Sequence, residues 1–156
     1  MYDSGQSTDG GSVCHAGRVN GFHHVELWVP DLASARPRWD WLLTTLGWTD
    51  FQDWSGPGGT GGHSWRAPAG GYLVVEQSVD LSGTRHERTA PGMNHLALDG
   101  SREQVDRIAA TGPAHGWTLL FADRHPHAGG PDHYAAFLAD PDGYEVEIVD
   151  PDPAVS

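Results

Sequence analysis

Four residues of this sequence pair metal-ligating side chains with a shared spacing. His24 and His95 stand 71 residues apart, and so do Glu76 and Glu147. Each lies in a run that alternates apolar and polar side chains, the pattern of a strand with one buried face. In "FHHVELWVPDL" (22–32), Val25, Leu27 and Val29 share one face, while His24, Glu26 and Trp28 share the other. In "MNHLALDG" (93–100), Leu96 and Leu98 lie opposite His95 and Ala97. Glu76 and Glu147 likewise alternate with aliphatic neighbours in "YLVVEQSV" and "YEVEIVD". Two imidazoles and two carboxylates converging inside a curved sheet would hold a divalent ion, with Zn, Ni, Co, Mn and Fe(II) all suited to such donors. A cation there also offsets the cost of burying a carboxylate. Alone, each His or Glu reads as a solvated strand residue; the common spacing with consistent facing favours the ligand reading.

The elements needed to position these residues recur. Asp31 can cap a helix over 32–46 whose apolar stripe is Leu32, Ala35, Trp39, Leu42, Leu43 and Leu46. Gly47 follows as a C-terminal glycine. Pro37 is awkward inside it, so the regular helix is expected to begin nearer Ser34 or to bend. Strands are expected at 47–54, 63–68 and 72–79, separated by glycine-rich breaks. The pattern then restarts with a strand at 93–100. A capping box at Ser101 and Gln104 follows, with a short helix bearing Val105, Ile108 and Ala109. Strands at 115–123, 133–140 and 144–150 complete it. "LGWT" (46–49) and "HGWT" (115–118) end the two helices, and His63 and His133 open the two third strands at nearly the same offset. Each half is therefore β-α-β-β-β, and duplication explains the whole. The expected division is a flexible tail at 1–20, a first module at 21–80 and a second at 91–150.

At 156 residues the chain can bury a full core. Its net charge of −12 leaves no basic footprint for nucleic acid or an anionic membrane. One cysteine, Cys14, excludes an intrachain disulfide and suits a reducing compartment. With no long apolar run and no leader pattern, a soluble cytoplasmic protein is expected. Cys14 and His15 fall in the Gly/Ser/Asp-rich tail and read as incidental. Ten histidines and seven tryptophans suit a lined pocket.

Over about 21–150 the chain resembles the vicinal oxygen chelate superfamily, which includes glyoxalase I, extradiol dioxygenases, fosfomycin-resistance transferases and bleomycin-binding proteins. The motifs that carry the resemblance are "HHVELWVPDL", "GMNHLAL" and "DPDGYEVEI". In the last, the glutamate four residues after Gly143 matches the family's ligand position, which favours Glu147 over Glu145; the first favours His24 over His23. The resemblance implies an α+β fold of two βαβββ modules forming a cup-shaped mixed sheet, with helices on the outer face. It also implies one divalent metal ion per site, a small-molecule substrate and a homodimer.

The resemblance further suggests a branch. Dioxygenases and fosfomycin enzymes are similar in using two histidines and one glutamate, here His24, His95 and Glu147. Glyoxalase I adds a glutamate at the end of the first half, the slot that Glu76 fills. A fourth protein ligand suits proton transfer between adjacent carbons and obstructs the open positions that O₂ chemistry needs. A glyoxalase-like isomerase or lyase using enediolate chemistry is thus expected, with Glu147 or Glu76 moving the proton. The alternatives are an Fe(II) ring-cleaving dioxygenase and a non-catalytic protein that sequesters an antibiotic. The loop "FADRHPHAGGPDHYAAF" (121–137) gathers His125, His127, Asp132 and His133. It reads either as a solvated turn or as a cover over the cup mouth that adds His133 as an acid/base. Tyr72, Trp28, Trp65 and Phe137 are candidate pocket walls.

Overall fold

The computed structural model describes residues 21–151; the tail expected at 1–20, with Cys14 and His15, lies outside the described residues. The first half runs β1 (His24–Trp28), α1 (Leu32–Thr45), β2 (Thr49–Ser55), β3 (Gly61–Arg66) and β4 (Tyr72–Gln77). The second runs β5 (Leu96–Asp99), α2 (Arg102–Thr111), β6 (Thr118–Leu120), β7 (Ala135–Ala139) and β8 (Glu145–Val149). The sheets are ordered β1-β4-β3-β2 and β5-β8-β7-β6, so both halves share one topology. In each, the first strand runs parallel to the last and the other pairs are antiparallel. The expected α+β pair of modules is therefore present, as two four-stranded mixed sheets.

Local chemistry explains the helix ends. Asp31 Oδ1 accepts from the Ala33 and Ser34 amides at 3.0 and 3.3 Å, which supplies partners for exposed N–H groups of the first turn. The helix then runs from Leu32 straight through Pro37, forfeiting one backbone bond rather than starting late. At α2 both arms of the capping box form: the Gln104 amide donates to Ser101 Oγ at 3.4 Å, and the Ser101 amide to Gln104 Oε1 at 2.8 Å.

Alternation along each strand separates two faces. Val25, Leu27, Leu73 and Val75 share a face with Trp65, and α1 covers it with Ala35, Trp39, Leu42 and Leu43. In the second module, Val105, Ile108 and Ala109 of α2 bury against the sheet carrying Ala136, Leu138, Val146 and Ile148. All belong to one continuous core. Each fully buried Leu, Ile or Val contributes about 1.5–3 kcal/mol. Trp65, a candidate pocket wall from sequence, is fully buried on this helix side, with its Nε1–H donating to Asp40 Oδ1 at 3.0 Å. It lines the core and not the cup.

The two modules join through their helices and turns. Arg38 of α1 is buried and reaches Asp140 Oδ2 at 3.4 Å, and its Nη2 pairs with Asp142. Trp117 Nε1–H donates to the Arg38 carbonyl at 3.2 Å, and Tyr144 O–H to the Trp28 carbonyl at 2.7 Å. Burial is the first cause that pushes the Tyr144 phenol up to about 12, with the Asp140 and Asp142 charges adding to it. The polar faces of both sheets lie outside this joint. Among the described residues, no helix is long and apolar enough to cross a membrane.

Candidate metal centre and pocket

The second module assembles the tighter group. Glu147, buried in β8, offers one carboxylate oxygen to each of two imidazoles: His95 Nε2 lies 3.2 Å from Oε2, and His133 Nε2 pairs with Oε1. His95 immediately precedes β5, and the strand register puts Ala97 opposite Glu147. His95 therefore reaches Glu147 diagonally along one face. His133 arrives from the loop before β7, where Phe137 sits opposite Glu147. The neighbouring acid on that face, Glu145, is committed to Arg88 at 2.9 Å.

The first module keeps its candidates apart. His24 lies opposite Tyr72 and stacks on its ring at 4.9 Å, with His23 Nδ1 at 2.9 Å from its own Nδ1. Glu76 lies opposite Trp28, four residues further along the parallel pair. That separation is about 13 Å at the usual rise per residue. Glu76 borders a cleft of about 260 Å³ lined with Trp54, Thr60, Val79 and Asp80. Burial first, and then the Glu26 charge, hold its carboxyl above the ordinary glutamate range. Glu26 accepts from Trp28 Nε1–H at 2.6 Å.

Register also changes which residues correspond. Ala97 opposes Glu147 and Trp28 opposes Glu76, so the structural counterpart of His95 is Glu26, although His24 shares the chain offset. The repeat drawn between His63 and His133 dissolves in the same way. Gly62 opposes Glu76 where Phe137 opposes Glu147. His63 instead faces the core, with Asp50 at 3.0 Å and Asp53 at 3.3 Å, while His133 faces Glu147.

Of the other loop histidines, His125 Nδ1 lies 3.1 Å from the Ala135 carbonyl, and His127 packs edge-on to Tyr134. Neither reaches Glu147. Arg66, in "HSWRAP", was not singled out from sequence; its alternation with Trp65 was the available signal, since that puts it on the polar face.

The donors suit a divalent ion in kind, being imidazole and carboxylate. Glu147 is 7% exposed, and among the described residues its side-chain contacts are the two imidazoles, with no arginine paired to it. Among the described residues, no three metal-ligating side chains are yet gathered in the geometry of a metal centre. No hydrogen bond or ion pair links His24 or Glu76 with His95 or Glu147.

Paired βαβββ modules, each with one polar sheet face, define a class, and comparison with known proteins agrees. The profile of the Glyoxalase/Bleomycin resistance protein/Dioxygenase superfamily matches residues 23–137, and the chain belongs to that superfamily. It is 39% identical over 130 residues to the uncharacterised protein YqjT of Bacillus subtilis (strain 168), covering 83% of this chain and 98% of that one. A provisionally assigned glyoxalase from Bacillus halodurans is 42% identical, with a TM-score of 0.75 over 85% of this chain and 96% of that structure. The fosfomycin resistance protein FosX of Listeria monocytogenes, solved with Mn(II) and sulfate, has a TM-score of 0.57 at 15% identity. That match covers 86% of this chain and 94% of FosX, and it shows a shared fold alone.

Proposed function

We propose that this chain is a metal-dependent isomerase or lyase acting on a small substrate with neighbouring oxygens. The observation that carries the reading is Glu147, a buried carboxylate held between two imidazoles and, among the described residues, paired with no arginine. His95 and Glu147 would hold the ion, and His133 stands next to them. Glu76, on the polar face of the other module, would complete the set; His24, about 13 Å from it along that face, would not reach the same ion.

Within one chain, no hydrogen bond or ion pair links the candidate ligands of one module with those of the other. A second copy related by a twofold axis would lay the first-module face of one chain on the second-module face of the other, forming two equal sites. We take the working unit as this homodimer. The single cysteine accords with a cytoplasmic place of work.

When bound, a divalent ion supplies Lewis-acid polarisation of the substrate's neighbouring oxygens. The chain does the rest. Glu76, whose carboxyl is held above its ordinary range, accepts on a side-chain oxygen the proton of the carbon bearing the hydroxyl oxygen and returns it to the adjacent carbon that bore the carbonyl oxygen.

Elemental analysis of untagged protein is the test, beside a Glu76→Ala, Glu147→Ala double variant. About one divalent ion per chain, lost in the double variant, is expected; no metal after supplementation overturns the reading. Glu76→Gln should lower deuterium exchange into dihydroxyacetone more than it lowers metal content. Oxygen uptake with a catechol would point to ring cleavage instead. For the dimer, mixing the two single variants should restore metal binding that each lacks alone, because one of the two mixed sites is intact.

A further inference from the structure

In each module a guanidinium lies over a phenylalanine, and that ring abuts a second aromatic beside a candidate ligand. Arg66 Cζ stands 3.8 Å from the Phe51 ring centre. Phe51 packs on Tyr72 at 5.1 Å, and Tyr72 stacks on His24. In the second module, Arg124 Cζ stands 4.8 Å over Phe121, and Phe121 meets Phe137 edge-on at 5.7 Å. Phe137 then lies 6.3 Å from His95 and 6.4 Å from His133. The same order of contacts thus appears twice, on residues that no repeat in the sequence aligns.

Arg66 is the better defined of the two, because strand register fixes its distance from a candidate ligand. His24, Tyr72 and Arg66 form one row across β1, β4 and β3, all on the polar face. At the usual strand spacing this row spans about 10 Å. The side chain is exposed, and among the described residues no carboxylate forms an ion pair with it. Arg36, Arg38, Arg88 and Arg102 each hold an aspartate or glutamate. Arg66, Arg85, Arg107 and Arg124 hold none among the described residues, and of these Arg66 and Arg124 lie over an aromatic ring. Stacking on Phe51 orients the planar group without neutralising it, so its N–H edge remains open to an anion.

We propose that Arg66 anchors an anionic end of the substrate. The site then takes a small polyoxygenated molecule carrying a carboxylate or phosphate. Its body lies over Tyr72, and its neighbouring oxygens extend along the polar face of β4 toward Glu76. The direction of the oxygens rests on the functional reading above; the anion contact does not, since it needs no metal. A planar fork gives a carboxylate or phosphate two parallel hydrogen bonds, which an ammonium cannot reproduce.

The test is calorimetric titration of EDTA-treated full-length protein with ribulose 5-phosphate, ribonate and uncharged ribulose. Ribulose 5-phosphate and ribonate distinguish a phosphate from a carboxylate end. At least one should bind about 10-fold more tightly than ribulose, as expected of a charge-assisted bidentate contact. Arg66→Met should erase that preference while leaving ribulose binding within about twofold. Arg66→Lys, which keeps the charge and the fold, should retain part of it. Arg107→Met, which removes the same charge from the exposed side of α2, should leave it intact. Equal affinity for charged and uncharged sugars in the parent protein overturns the proposal, as does no binding of either anion up to about 10 mM. Retention of the preference in Arg66→Met overturns it too. Because metal is absent throughout, failure of the metal reading leaves these outcomes unchanged.

Discussion

Glu147 bridges His95 and His133, one imidazole to each carboxylate oxygen, with the His95 contact at 3.2 Å. The two histidines come from opposite sides of β8, one from the lead into β5 and one from the loop before β7. Glu147→Gln keeps the shape and removes the charge. Divalent metal affinity, measured by competition with a chelating dye, should fall at least about 100-fold, beyond the loss typical of an outer hydrogen-bond partner. The melting temperature should change little, because glutamine can still bond to both rings.

Arg38 fastens α1 to the Asp140–Asp142 turn that leads into β8. Its side chain is 7% exposed and that of Asp140 is fully buried. Burial first, then the Asp142 charge, raises the Asp140 carboxyl, against the Tyr144 amide and Arg38, which hold it down. Arg38→Met strands a buried carboxylate and should cost about 3–5 kcal/mol in urea unfolding. Adding Asp140→Asn should recover part of that loss.

Asp53 carries the acid dependence of the β2–β3 edge. Exposed as it is, its carboxyl still feels some desolvation, which raises it. The Arg36 charge at 2.7 Å and the bonds to His63 and Arg36 outweigh this and hold the carboxyl below its ordinary value. The stability it contributes is therefore present above the unfolded carboxyl range and is lost as pH falls through the depressed value. Asp53→Asn should lower the melting temperature at pH 7. The gap between variant and parent should close progressively below about pH 4, as thermal scans across pH would record.

Gly143 adopts φ +92° at the tip of the β7–β8 turn, where an added Cβ would collide with the His86 carbonyl. That carbonyl belongs to the linker between modules, which also bonds back through the His86 amide to the Asp142 carbonyl at 2.7 Å. Gly143→Ala combines left-handed strain with a backbone clash and should cost about 1–3 kcal/mol or more. Faster amide exchange at His86 should accompany it, because the linker must lift from the turn.

Local signals were legible because they depend on neighbours in the chain. Asp31 as a cap, Ser101 with Gln104 as a capping box, and the alternation that turns Leu27 inward and His24 outward all follow from side-chain geometry within a few residues. So does the β-α-β-β-β order of each half. What sits opposite what is another matter. A strand's alternation fixes the face of each residue, but sliding by two keeps that face and changes every partner. For this reason the matched offsets of His24 with His95 and Glu76 with Glu147 did not determine their juxtaposition. Only the packed sheets decided that Trp28 opposes Glu76, that His63 turns to the core between two aspartates, and that His133 reaches Glu147. The stacking of Arg66 on Phe51 and the clasp of Arg38 on Asp140 also join residues whose contact no local pattern encodes. They exist because strands and helices distant in sequence were brought together by burial of one shared core.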